Sequence, residues 1–146
     1  MIPAFQSSGL LPAGIHPADW SDIGARFGGS AHRDWLLAGL LKALTMLRDS
    51  GCTTVYLDGS FVTEKEHPSD YDALWDPTGV DPKRVDPVLL DFSDLRLKQK
   101  LKYRGEFFPA NATVDPVGIT FLAFFQVCKV TGAPKGLVRI ELSSLP

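Results

Sequence analysis

The sequence predicts one α/β domain of the α+β type, a small mixed β-sheet with helices packed on it. Three observations carry that reading. One long stretch repeats apolar residues at the helical spacing of three and four. Several short β-branched or aromatic runs end at Asp, Gly or Pro, as strands do. The length of 146 residues is about one domain, and a chain of that size buries roughly 68–70% of its unfolded surface, so it needs no disulfide or metal to fold.

The opening segment, Met1 to Pro17, mixes Pro3, Gly9, Pro12, Gly14 and Pro17 with Ile2, Phe5, Leu10, Leu11 and Ile15. That mixture predicts an extended segment packed on the domain. Pro17 suits the first position of a short helix carrying Trp20, Ile23 and Phe27, which Gly28 and Gly29 stop. Ser30 is an N-cap for the clearest helix, Ala31 to about Asp49, ended by Gly51. Its apolar stripe reads Trp35, Leu36, Leu40, Leu44 and Leu47, with Arg33, Lys42 and Arg48 off it.

Thr53 to Leu57 reads as a strand ending at Asp58-Gly59, and Tyr71 to Trp75 as a second, stopped by Asp76-Pro77. Between them lies a loop or one helical turn, Phe61 to Ser69. A turn-rich connection, Asp76 to Pro87, leads past Leu89, Leu90 and Phe92 to a basic helix from Asp94 to Tyr103. Glu106 to Phe108 makes a third strand. Asp115 and Pro116 predict the N-cap and first turn of a mostly buried helix through Phe121, Leu122, Phe125 and Val127. Gly136 to Leu142 reads as the last strand.

Hydrophobic residues make up 45% and charged residues 22% of the chain, the values of an ordinary globular protein. A net charge of −2 and a pI of about 5.9 argue against duplex DNA as a partner, since that needs a basic surface. Cys52 and Cys128 have no CxxC or Cys/His spacing, which predicts buried reduced thiols. No apolar run approaches the ~20 residues that span a bilayer, and no basic-then-hydrophobic leader opens the chain. The expectation is a cytoplasmic protein with no membrane contact.

The chemistry concentrates in Val55 to Trp75, VYLDGSFVTEKEHPSDYDALW. One strand delivers Gly59-Ser60, and the next opens Asp70-Tyr71-Asp72. Side chains alternate along a strand, so Asp70 and Asp72 share a face. Two carboxylates there repel each other unless a cation lies between them. Mg²⁺ is the natural occupant, since it takes carboxylates completed by water and substrate phosphate. Gly59 lets the backbone approach a phosphate, and Ser60 can donate to its oxygens.

These residues resemble the polymerase-beta-like nucleotidyltransferase superfamily. Its signature is a hydrophobic residue, Gly-Ser, a short spacer, then Asp-hydrophobic-Asp-hydrophobic. Here Gly59-Ser60, the nine residues Phe61 to Ser69, and Asp70-Tyr71-Asp72-Ala73 follow it. The resemblance implies a nucleotidyltransferase-type domain in which Asp70 and Asp72 bind Mg²⁺ and act in catalysis, while Gly59 and Ser60 hold a nucleoside triphosphate. Members often add a third acidic residue on a later strand; Glu106 is the candidate, with Asp91 and Glu141 as rivals. The chain departs from the pattern in lacking an arginine just after Gly-Ser, where Phe61, Val62 and Thr63 stand, and Lys65 is the substitute. Over its full length the chain is also similar to a family of short bacterial proteins opening with Leu-Leu-Pro-x-Gly-Ile-His, here Leu10 to His16, a likeness that brings no activity with it.

The implied reaction is transfer of a nucleoside monophosphate to a hydroxyl on a protein, an RNA end or a small molecule. A chain this short leaves little room for an acceptor domain, so a protein partner or a second copy is expected. Minimal nucleotidyltransferases of this kind are commonly half of a two-component bacterial system such as a toxin and antitoxin pair. The alternative expectation is a catalytically degenerate member that acts as a binding module. His16, His32 and His67 are given no catalytic role. Asp58 is a turn aspartate or a further metal-shell residue, Lys98, Lys100 and Lys102 read as a solvated face, and Phe121, Phe124 and Phe125 as core.

Overall fold

The five strands of the computed structural model, which describes residues 2–116 and 118–146, form one mixed sheet whose centre is the strand that delivers Gly59. In chain order they are β1 (Gly14–Ala18), β2 (Thr54–Asp58), β3 (Asp72–Trp75), β4 (Glu106–Pro109) and β5 (Gly136–Glu141). Their spatial order is β1-β5-β2-β3-β4. The outer pairs β1/β5 and β3/β4 are parallel, and the two pairs flanking β2 are antiparallel.

Helices α1 (Trp20–Phe27) and α2 (Ala31–Asp49) supply most of the cover for one face. Ile23, Phe27, Leu36, Leu40, Leu44 and Leu47 pack with Val55, Leu57, Ala73, Phe107, Val138 and Ile140 in the main core, each of them but Ala73 stabilising by about 1.5–3 kcal/mol on burial. The other face carries a smaller cluster, Leu74, Phe108, Ala110, Phe125 and Leu137.

The long helix keeps its expected bounds, with Ser30 Oγ accepting from Arg33 N at 3.1 Å. Three other expectations change. Pro17 does not open α1; it lies in β1, an edge strand, where its missing N–H is tolerated. Asp19 caps α1 instead, in a reciprocal capping box with Asp22. The helix expected from Asp115 shrinks to one turn, α4 (Phe121–Phe124), capped by Thr120. Asp115 spends its carboxylate on Gly118 N and Ile119 N, and Gly118 at φ +100° turns the chain away from a helix. Phe124 and Val127 are consequently exposed, not core.

On α2, Trp35 and Arg33 exchange their expected places. Trp35 is half-exposed, whereas Arg33 is 9% exposed because positions 33, 37, 40, 44 and 47 form the buried stripe. Its guanidinium donates to the carbonyls of Phe27, Phe61, Thr63 and Lys65 at 2.6–3.0 Å. One buried cation thus pins the loop that follows Gly59-Ser60. Arg33→Met, which keeps length but leaves those carbonyls unpaired, is expected to lower stability by about 2–4 kcal/mol in urea unfolding; a loss under about 1 kcal/mol would mean the loop holds itself.

Candidate functional site

The strand register draws the acidic residues together. Asp58, last in β2, faces Asp72, first in β3, and Asp72 faces Glu106, first in β4. Paired residues on neighbouring strands point to the same face, so the three carboxylates form a line across three strands on the face away from α1 and α2. Asp70 lies two residues before Asp72 in the approach to β3, half-buried. Of the candidates for a third acid, Glu106 is the one on this line. Glu141 is at the opposite end of the sheet beside Thr54, and Asp91 holds Ser93 and Lys98.

Gly59 sits against Asp72. Its φ of +85° favours glycine, and a Cβ there would stand 2.9 Å from Asp72 Oδ2. Ser60 starts a 3₁₀ turn, Ser60–Val62, whose carbonyl accepts from Thr63 N and Thr63 Oγ1. Tyr71, fully buried between the two aspartates, donates its hydroxyl to Tyr103 O at 2.6 Å and packs edge-on against Phe61 and Phe107. Gly105 gives that ring its space, since a Cβ would come within 2.4 Å of it. The aromatic between Asp70 and Asp72 therefore fixes the carboxylates from below.

Cations surround the line. Lys135 Nζ is 3.2 Å from Asp58 Oδ2. Arg96 Nε is 3.3 Å from Glu106 Oε2, and Lys100 Nζ is 2.9 Å from Glu106 Oε1. Lys65 acts on Asp70, and Lys129 on Asp58 and Asp72, by charge at longer range. Among the described residues, no hydrogen bond or ion pair reaches the Asp72 carboxylate, although its backbone lies in the ladder between β2 and β4. Burial, and then the charges of Glu106, Asp58 and Asp70, push its carboxyl from the usual 3.8 up to about 7. Burial also raises Asp58, against Lys135, and raises Asp70 together with Glu106.

The residues fit a magnesium ion by chemistry. They are hard oxygen donors, and Asp72 is a carboxylate without a partner against bare backbone. Among the described residues no three His, Cys, Asp or Glu side chains are gathered as a metal site; the outer carboxylates hold the chain's own cations instead. A divalent ion would use Asp70, Asp72 and Glu106, the last by exchange.

Four contributors escape the sequence pattern. Lys135, Lys129 and Arg96 reach the line from segments far along the chain, with no spacing to announce them. Gln99 is legible only as an anomaly, a fully buried amide on the basic helix α3 (Ser93–Tyr103). It donates to Leu89 O and Asp91 O and accepts from Phe107 N at 2.7 Å, tying α3 to β4 beside Glu106. Lys98, Lys100 and Lys102 are each ion-paired, not simply solvated. Both cysteines are free, but Cys128 is half-exposed, unlike buried Cys52. No helix among the described residues is long and apolar enough to cross a membrane.

A family model described as a family of unknown function (DUF6932) matches residues 3–141. No curated protein and no solved structure matches the chain.

Because the folded state keeps a proton on Asp72 that the unfolded chain releases, stability falls as pH rises from 3.8 to about 7. With a chelator present, Asp72→Asn is expected to be more stable than the wild type by about 1–3 kcal/mol above about pH 7, and unchanged below about pH 4. Urea midpoints against pH measure this. A variant no more stable at the high end would mean that the charge is already compensated.

Proposed function

We propose that this chain, which belongs to the DUF6932 family, is a Mg²⁺-dependent nucleotidyltransferase that moves a nucleoside monophosphate from a nucleoside triphosphate to a hydroxyl. The observation that supports this best is the register of Asp72 against Glu106, beside a glycine turn packed on Asp72 and ringed by Lys65, Arg96, Lys100 and Lys129. Carboxylates for a metal and cations for phosphates side by side are what phosphoryl chemistry needs, because its catalysis is mainly positioning and charge neutralisation.

In the proposed reaction the acceptor hydroxyl oxygen attacks the α-phosphorus in line. A new oxygen–phosphorus bond forms, the bond to the bridging oxygen breaks, pyrophosphate leaves with its electron pair, and the hydroxyl proton passes to water. Asp70, Asp72 and Glu106 would hold the Mg²⁺, whose charge would lower the hydroxyl pKa and stabilise the leaving pyrophosphate. Gly59 and Ser60 give the phosphates backbone and hydroxyl donors. Tyr71 and Gly105 keep the aspartates in place, and Arg33 holds the loop that carries Lys65.

The acceptor is a protein, an RNA end or a small molecule, brought by a partner protein or a second copy. A toxin and antitoxin setting comes only with the likeness to minimal nucleotidyltransferases. A second reading, a degenerate nucleotidyltransferase-fold binding module, draws on one observation: Glu106 and Asp58 are already neutralised by Arg96, Lys100 and Lys135.

Label transfer from α-³²P-labelled ATP, CTP, GTP and UTP with Mg²⁺, using cell lysate as acceptor, separates the two. Wild type is expected to label an acceptor, and Asp70→Ala/Asp72→Ala to lose at least about a hundredfold. No label from the wild type, or equal label from the variant, would favour the binding module.

A further inference from the structure

Arg96 reaches Glu106 from a strained turn. Asp94, Leu95 and Arg96 stand at φ 51°, 56° and 63°, a run of left-handed residues that costs roughly 1–2 kcal/mol each for L-amino acids. Burial does not compensate at Leu95, which is 74% exposed. What the turn achieves is the placement of one guanidinium. Arg96 Nε is sealed from water with no hydrogen bond, 3.3 Å from Glu106 Oε2, and the guanidinium lies 5.1 Å over the Phe108 ring. Lys100, one helical turn on, takes the other Glu106 oxygen. The right-handed part of α3 is anchored by Gln99, so the strained turn can change without moving the rest of the helix.

We propose that Arg96 and Lys100 grip the β- and γ-phosphates of the nucleoside triphosphate, and that the left-handed turn is the hinge on which Arg96 leaves Glu106 to do so. This rests on the nucleotidyltransferase reading above. Arg96 and Lys100 neutralise Glu106 between them. A divalent ion held by Glu106 and Asp72 would compete with them for the Glu106 oxygens, and the two cations would then stand beside it, free to pair with an anion of high charge density. A triphosphate provides one, and the guanidinium fork matches its oxygens in pairs. Relaxing residues 94–96 to right-handed geometry would release the strain and lengthen α3 by about one turn, re-aiming Arg96. Strain retained at such a place is typical of ligand clamps.

Equilibrium binding of Mg-ATP, inorganic tripolyphosphate and AMP to the full chain tests this, comparing wild type with Arg96→Met, Lys100→Met and Glu106→Gln, each checked for folding by circular dichroism. Either cation variant is expected to bind ATP and tripolyphosphate about tenfold more weakly and AMP as before. Glu106→Gln, which frees both cations, is expected to bind tripolyphosphate more tightly without Mg²⁺, and Arg96→Met on top of it to reverse the gain. Should Arg96→Met fail to fold, Arg96→Lys keeps the charge and is expected to fall between. ATP affinity unchanged in both cation variants, or a loss shared equally by AMP, overturns the inference and leaves the reaction standing. A wild type that binds neither ATP nor tripolyphosphate overturns both.

Discussion

Three carboxylates side by side at the ends of β2, β3 and β4 are the constraint to which the rest of this face responds. Like charges a few ångströms apart raise one another's proton affinity or collect cations, and both responses are present. Asp72, in the middle and unpartnered, is held near neutrality at about 7. Asp58 and Glu106, on either side, collect Lys135 and the pair Arg96 and Lys100. Those cations come from the segment before β5 and from α3, two stretches of chain that meet at this strand end.

The opposite face shows how the line is held. α1 and α2 fill it with aliphatic side chains, so β2 and β3 cannot slip without moving Leu57 and Ala73 out of the core. Tyr71 and Gly105 lock the approach to β3, and Arg33 clamps the loop after Gly59. These devices are buried, whereas the left-handed 94–96 turn and the lysines paired with Asp91, Glu106 and Asp86 lie toward the surface.

The local signals of the chain were legible where local physics decides. The cap at Ser30 and stop at Gly51 bound α2, and the β-branched run and Asp-Gly turn give β2 to within one residue. Asp70 and Asp72 are singled out by strand alternation, Gly59 and Ser60 by the turn that follows β2, and Glu106 only through the family resemblance. What failed did so through tertiary context. Asp115 and Pro116 look like a helix start, but Asp115 uses its side chain in a turn. Arg33 looks solvent-facing by type, although its position continues the apolar stripe, and four backbone carbonyls accept it. The left-handed turn at Asp94 has no glycine to announce it, and the cations at Lys129 and Lys135 meet the acids only through folding.

The stability of the fold does not explain this cluster. Buried ion pairs are often matched or exceeded by hydrophobic residues of similar volume, and Leu74 and Phe108, two residues along from Asp72 and Glu106, show that this face accepts an apolar layer. An unpartnered carboxyl at Asp72 destabilises the native state near neutral pH, and the 94–96 turn adds backbone strain to place one cation on Glu106. A domain with a sufficient core on its other face carries these costs at one place only, where three strands end beside a glycine turn. Perturbed carboxylates and strained backbone converge on this one strand end, and such features cluster at functional sites more often than elsewhere in a fold.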